Sequence, residues 1–466
     1  MTNEDAVPPA NLPQTAAERD IAYQIHPVTN LKAHEANGPF ILESGSGVRV
    51  TGADGVAYID GMAGLWCASL GFKEPRLAQA AMAQMERLPY ESIFAGRSHN
   101  PAIELAEALV RRAPPPLAKV MFQSSGSEAI DTAVKLVWYY HQAIGKPAKR
   151  KIIARRRGYH GTSIASVSVT GQEVLHKGFG LPLPGFLHLE SPHYYREALP
   201  GESEEEFSTR RAQELEALIL QEDPNTIGAF FAEPVMGAGG VILPPAGYFE
   251  KIQAVLRKYG VLFVVDEVIC GFGRTGRYWG SQTFDLSPDM LVCAKALTAA
   301  YFPMSAVLMT DAIYRAVADQ SDRIGAFAHG YTMSGHPVGA AVALETLRIY
   351  DEDDILGHVA AVGPMLQDGL RHFADHPLVG DVRGVGLIAG LEFMADPAAK
   401  TPFAPDLKVS IRVMDAVRRR GVLLRALGDA LACSPPLIIQ EDEVATLLAA
   451  VKGALDEVYA DLRQGA

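Results

Sequence analysis

Two apolar runs of this chain end in reactive side chains: VLFVV closes on Asp266, and MLVCA closes on Lys295. An ammonium within an apolar run is costly to bury unless its pKa falls or it becomes an imine. Lys295 is therefore placed to form a Schiff base with a cofactor aldehyde. Taken alone, it reads equally well as a strand-end lysine that extends its ammonium into water. Asp266 adds the second half, because a carboxylate beside a pyridine nitrogen keeps it protonated and makes the ring an electron sink. A third run, KVMFQ, opens into Ser124, Ser125, Gly126 and Ser127 just before a strong helix signal. Backbone N–H groups and hydroxyls there face an anion at a helix N-terminus, as a phosphate cup would. Ordinary N-capping by Ser125 or Ser127, with Glu128 in the first turn, explains the same residues without a cofactor.

Such groups converge where strands end, because open α/β sheets bind ligands at the carboxyl ends of their strands. From about residue 100 the pattern repeats strand, loop and helix: AKVMFQ, SEAIDTAVKLVWYYHQAIG, KIIARR, GAFFAEPV, GYFEKIQAVLRKYG, VLFVVDEV, MLVCAK and MSAVLMT. This alternation predicts an α/β fold with a large, mostly parallel sheet covered by helices on both faces. Upstream, GVRVTGADGVAYIDG (47–61) alternates around an Asp-Gly turn and predicts a β-hairpin in a small lobe. Helix-like stretches at VGAAVALETLRIYD and EDEVATLLAAVKGALDEVYADLRQ flank short strands such as VRGVGLIAGLEF, and these form the other half of that lobe. The acidic run GESEEEF (201–207) reads as a polar insertion facing solvent, and the basic clusters at 154–157 and 418–420 as solvent-facing element edges.

At 466 residues the chain exceeds one ordinary core, and two to three units are expected. A net charge of −12 argues against nucleic acid, which a basic face must neutralise. The four cysteines, Cys67, Cys270, Cys293 and Cys433, form no CxxC pair, so neither a disulfide framework nor a metal site is signalled and a reducing cytoplasm fits. The first twenty residues are polar and contain proline, without the apolar core of a secretory signal. No stretch is apolar enough to span a bilayer, so no membrane partner is expected.

Taken in order, SSGSEAIDTA (124–133), YHG (159–161), AEPVMGAGG (232–240), VVDEVICGFGRTG (264–276), CAKALT (293–298) and HGYTMSGHP (329–337) resemble the class III, or ω-aminotransferase, family of pyridoxal 5′-phosphate (PLP) enzymes. The resemblance implies the fold-type I, aspartate aminotransferase-like scaffold. It divides the chain into an N-terminal arm and part of the small α+β domain (1–85), a large PLP-binding domain (86–340) and the C-terminal part of the small domain (341–466). It also implies a homodimer whose active site is shared across the interface. By the same resemblance Lys295 forms the internal aldimine and Asp266 pairs with the pyridine nitrogen. Val268 and Tyr159 flank the ring, Ser125, Gly126 and Ser127 hold the phosphate, and His160 belongs to the cofactor site. Glu233 is a carboxylate close behind that site. Tyr331 and Thr332 reach the phosphate of the partner subunit.

The implied reaction moves an amino group from a primary amine or ω-amino acid to a keto acid, with pyruvate the expected acceptor, in ping-pong fashion. Its pocket must take an apolar group and also supply a cation for a carboxylate. Arg425, in LLRALGDALACSPPLII, is similar to the family's mobile arginine. Leu65 and Trp66 match pocket-lining positions, although Trp66 reads equally well as lobe packing. Tyr90, Phe94 and Ala238 are further pocket candidates. Departures from the family pattern stand at Ile130, Ala296 and Met333, where Asn, Gly and Tyr are usual. An aminomutase or decarboxylase on the same scaffold shares the carbanion chemistry, and a catalytically silent PLP-fold protein is a rival of another class.

Overall fold

In the computed structural model, which describes residues 14–464, the chain passes through three sheets. Residues 1–13, which carry most of the arm read above, lie outside the described residues. The first strands, β1 (Leu42–Ser46), β2 (Arg49–Gly52) and β3 (Ala57–Asp60), pair antiparallel. The Asp-Gly turn joins β2 to β3, with Gly55 at φ 77°. That conformation favours glycine and makes the tight turn possible.

The large sheet takes β4 (Leu117–Gln123), β5 (Lys151–Arg155), β6 (Phe186–Leu189), β7 (Ile227–Ala232), β8 (Leu262–Asp266), β9 (Met290–Cys293) and β10 (Ser305–Thr310), in the order β4-β10-β9-β8-β7-β5-β6. β10 runs antiparallel to both neighbours, and every other pair is parallel. Every residue of β7 to β10 is buried, because alternate side chains enter cores on opposite faces. On one face Ala229, Phe231, Val264 and Val292 pack with Val134 and Val137 of the helix Gly126–Ala143. On the other, Phe230, Phe263 and Val265 meet Leu215 of the helix Glu204–Gln221 and Ile252 of the helix Tyr248–Tyr259. Each such apolar side chain contributes about 1.5–3 kcal/mol on burial.

The C-terminal strands are β11 (Val379–Val385), β12 (Ile388–Phe393), β13 (Val422–Leu423), β14 (Arg425–Leu427) and β15 (Ala430–Cys433). β11, β12, β15 and β14 form an antiparallel sheet, whereas β13 leaves it and pairs parallel with β3, Val422 opposite Ile59. The N- and C-terminal segments are thereby joined in one small sheet.

One surface expectation needs correction. Arg155, in the basic cluster 154–157, is 1% exposed. Its Nη2 donates to the Glu233 carbonyl at 2.6 Å, and its guanidinium lies over the Phe249 ring. The acidic run faces solvent, as expected, and begins a helix: Ser203 and Glu206 form a capping box, and Glu204 to Glu206 occupy the first turn. Carboxylates are favourable there against the positive end of the helix dipole. Arg418, Arg419 and Arg420 are exposed, as their cluster was expected to be.

Candidate active site

Parallel pairing brings the ends of β8 and β9 side by side, with Asp266 opposite Val292. The chain leaves β9 at Cys293, and Lys295 begins a short 3₁₀ turn in the left-handed region at φ 47°. A lysine in that region is uncommon, and such outliers gather at functional sites. Burial holds its ammonium pKa below the ordinary lysine value, while the Asp266 charge acts in the opposite direction.

Asp266 is buried and fixed at both oxygens. Its Oδ1 accepts the Val268 N–H at 3.0 Å, and its Oδ2 lies 2.8 Å from His160 Nδ1. The other ring nitrogen, His160 Nε2, is buried without a hydrogen-bond partner. Glu233 braces the next layer: Oε1 accepts the Tyr159 N–H at 3.1 Å and Oε2 the Gly237 N–H at 3.0 Å. Burial raises the Glu233 pKa, and it raises that of the half-buried Tyr159 phenol, which Arg425 counteracts.

β4 feeds the helix Gly126–Ala143 through its N-cap, Ser125. The Ser125 hydroxyl accepts the Glu128 N–H at 3.2 Å, and Glu128 Oε2 accepts the Ser124 N–H at 2.8 Å. The capping explanation of these residues is thus realised, yet it leaves the N–H groups of Gly126 and Ser127 free of protein acceptors among the described residues. Both are available for an anion. A Cβ on Gly126 would meet Val268 and Ala294 only at ordinary contact distances of 3.4 and 3.9 Å.

Ser125, Gly126, Ser127, Tyr159, His160, Glu233, Asp266, Val268 and Lys295 all line one cavity of ≈ 330 Å³. A lysine, a fixed carboxylate, Tyr159 with Val268, and a helix N-terminus with free N–H groups in one cavity could hold PLP by its aldehyde, ring nitrogen, ring faces and phosphate. Cys67, Thr298 and Phe302 also line the cavity and escaped the sequence reading. Thr298 stood within the CAKALT motif, but nothing local signals that Cys67 meets this wall.

The proposed pocket residues are dispersed. Arg425 opens β14, half-buried, and burial lowers its pKa against the influence of Tyr159. Its guanidinium has no carboxylate partner among the described residues. Trp66, 2% exposed, packs with Met62, Val235 and Ile269, whereas Leu65 is 54% exposed. Ala238 is half-buried in the turn after β7. Tyr90 donates to the Thr332 carbonyl at 2.9 Å, and the Phe94 ring lies against Gly330. Tyr331 is half-buried with its hydroxyl 3.4 Å from the Glu128 carbonyl, and Thr332 is exposed. Apart from Tyr159, none of the pocket candidates lines the cavity of its own chain: Leu65, Trp66, Tyr90, Phe94, Ala238 and Arg425 all lie outside its wall, as do Tyr331 and Thr332. Ile130 and Ala296 are buried, and Met333 is exposed.

Known proteins share the fold and sequence of this chain. The family model for class-III aminotransferases matches residues 31–455. Gamma-aminobutyrate transaminase 1, mitochondrial, of Oryza sativa subsp. indica is 47% identical over 429 residues, which cover 91% of this chain and 83% of that protein. The omega transaminase of Pseudomonas jessenii, solved in complex with PMP, superposes with a TM-score of 0.96 at 50% identity, covering 97% of this chain and 100% of that one. A thermostable omega transaminase variant, changed at a tryptophan, a phenylalanine and an arginine and engineered for asymmetric synthesis of enantiopure bulky amines, gives 0.95 at 50% identity over 96% and 99% of the two chains. This chain belongs to the class-III aminotransferase family, the PLP-dependent transaminases of fold type I.

Proposed function

We propose that this transaminase takes the amino group from a primary amine or ω-amino acid and delivers it to a keto acid, with pyruvate the acceptor, by a ping-pong mechanism. The observation that carries the substrate class is Arg425: a half-buried cation without a carboxylate partner, close enough to influence both Tyr159 and Lys295. A guanidinium without a carboxylate partner, outside the cavity wall but near enough to act on Tyr159 and Lys295, suits a substrate whose carboxylate is present in one half-reaction and absent in the other. An ω-amino acid, as in the name of the rice relative, would place its remote carboxylate there. Trp66, Phe94 and Arg425 also follow one another at the same intervals as the three residues changed in the variant engineered for bulky amines.

When bound, PLP supplies an electron sink for the carbon that carries the amino group. The remaining work falls to the chain. Lys295 Nζ would hold the cofactor and, once displaced, accept and return the substrate proton, a role its lowered pKa favours. Asp266 would keep a proton on the ring nitrogen, and His160 and the Val268 N–H orient its carboxylate. The Gly126 and Ser127 N–H groups would bind the phosphate, and Tyr331 and Thr332 would reach it from the second copy of a homodimer. All four cysteines are free, in keeping with a reducing compartment such as the cytoplasm.

A donor panel of an aryl-alkyl amine, β-alanine and 4-aminobutyrate, each with pyruvate, tests this reading by alanine formation. Carbon dioxide release or intramolecular amino migration in place of alanine would overturn it. Arg425→Ala should reduce turnover of the two amino acids at least tenfold more than that of the simple amine, and an equal loss would remove Arg425 from substrate selection.

A further inference from the structure

Ahead of the small sheet lies a cluster that transamination does not use. Asp20 is on the helix Ala16–Tyr23, His34 on the helix Leu31–Asn37, and His26 in the connection between them. Both His26 Nε2 and His34 Nε2 sit 2.9 Å from Asp20 Oδ1, and His26 Nε2 is also 2.9 Å from Oδ2. Their rings are 4.2 Å apart, centroid to centroid. Both imidazole nitrogens thus converge on one carboxylate oxygen, the convergence of donor atoms that a shared cation requires. The three side chains are shielded yet reachable, at 27% exposure for His26, 10% for His34 and 17% for Asp20. Among the described residues this is the one group of three such ligands, with all donor atoms within 4.8 Å of one another.

We propose that Asp20, His26 and His34 form a divalent transition-metal site, best matched to zinc, with its fourth position left to water. Two imidazole nitrogens and one carboxylate oxygen form a donor set that zinc accepts at roughly 2.0–2.2 Å, with an open fourth position. A tetrahedron of that size separates its ligand atoms by roughly 3.3 Å, so each histidine–carboxylate separation, now 2.9 Å, has to open by only a few tenths of an ångström. The metal displaces the Nε2 protons that the carboxylate now accepts. It would also supply what this segment lacks. Neither helix buries a residue, and at 8 and 7 residues neither is long enough to persist alone. A metal bound to all three would fix the connection Pro27–Asn30, which forms one wall of a groove completed by Thr162, Ile164 and Phe179.

The test uses chelator-washed holoenzyme equilibrated with zinc chloride, dialysed and analysed for metal, beside the His26→Gln/His34→Gln double variant. One zinc per wild-type chain, and one fewer in the variant, is expected. Cobalt(II) should give a visible ligand-field band in the wild type that the variant lacks. Both proteins should retain the same transaminase activity, which reports an intact fold. With zinc at ten times its Kd, proteolysis within residues 24–30 of the wild type should slow roughly tenfold, as the open population falls. This readout and the single variant Asp20→Asn serve if the double variant misfolds. Equal zinc in both proteins, or none in the wild type together with unchanged proteolysis, would leave a histidine–carboxylate ion pair only and overturn the proposal.

Discussion

Lys295 combines a left-handed backbone with an ammonium held in a site that disfavours its charge. Both features cost stability in the protein without cofactor, and both are what a Schiff-base lysine needs. A lysine whose native pKa is lowered binds fewer protons folded than unfolded. The penalty is absent above the ordinary lysine pKa, grows as pH falls below it, and levels off once pH is under the lowered native value. Lys295→Met should therefore abolish turnover yet stabilise the apoenzyme near neutral pH by about 1 kcal/mol or more. Denaturant unfolding of both apoenzymes across pH checks this, and the gain should vanish at high pH. Asp266→Asn removes the charge that supports the Lys295 ammonium and that His160 orients. It should lower kcat by ~10²-fold or more at unchanged expression and fold, measured by steady-state kinetics. These two residues were legible because each ends an apolar run, so sequence position and burial coincide. Cys67 was not, since its place in the cavity wall comes from tertiary packing.

Strands and helices hold these groups, and they were legible in proportion to how local their determinants are. The hairpin of β2 and β3 follows from alternation around Asp-Gly, and β7, β8 and β9 follow from unbroken apolar runs. The parallel pairing of β13 with β3 joins residues far apart in sequence and leaves no local trace. The burial of Arg155 depends likewise on a carbonyl at the end of another strand. Docking of the loop 158–163 on the helix Gly126–Ala143 rests on Gly161 at φ +123°, where a Cβ would stand 2.5 Å from Ser127 Oγ and 2.6 Å from Ser166 Oγ. Gly161→Ala should cost about 2–4 kcal/mol and release PLP faster, seen together as a lower Tm and loss of cofactor on dialysis. In the C-terminal sheet, Glu392 on β12 is fully buried between Arg383 and Arg196, with His193 Nε2 at 3.8 Å. Burial alone would raise its pKa, but the surrounding cations take it down to about 2. A lowered carboxyl pKa contributes stability that is present above the unfolded value near 4.3 and is lost as pH falls toward 2. Glu392→Gln should cost about 3–5 kcal/mol at pH 7, because it strands buried cations. Its loss relative to wild type should shrink on acidification through that window in chemical denaturation.

The whole molecule carries residues that do not reach the cavity of their own chain. Tyr331 and Thr332 occupy a loop tied to Tyr90 and Glu128, outside the ≈ 330 Å³ site that Lys295 and Asp266 enter. If that loop completes the phosphate cup of a second copy, each site draws Lys295 from one chain and Thr332 from the other. Thr332→Asp would set a negative charge against the phosphate and silence the sites to which that loop contributes. A Lys295→Ala homodimer and a Thr332→Asp homodimer should each be nearly inactive. After subunit exchange, half of the dimers are mixed, and each mixed dimer holds one site with an intact lysine and an intact loop. Activity should then recover to about a quarter of the wild-type value, measured as alanine formation per active-site equivalent. Were the loop to serve its own chain, the intact lysine of the mixed dimer would still face the altered loop, and mixing would restore nothing. If the loop does serve the second copy, dilution below the dimer dissociation constant should abolish the recovered activity and wild-type activity in parallel, because a single chain would hold the reacting groups without the loop that completes their cup.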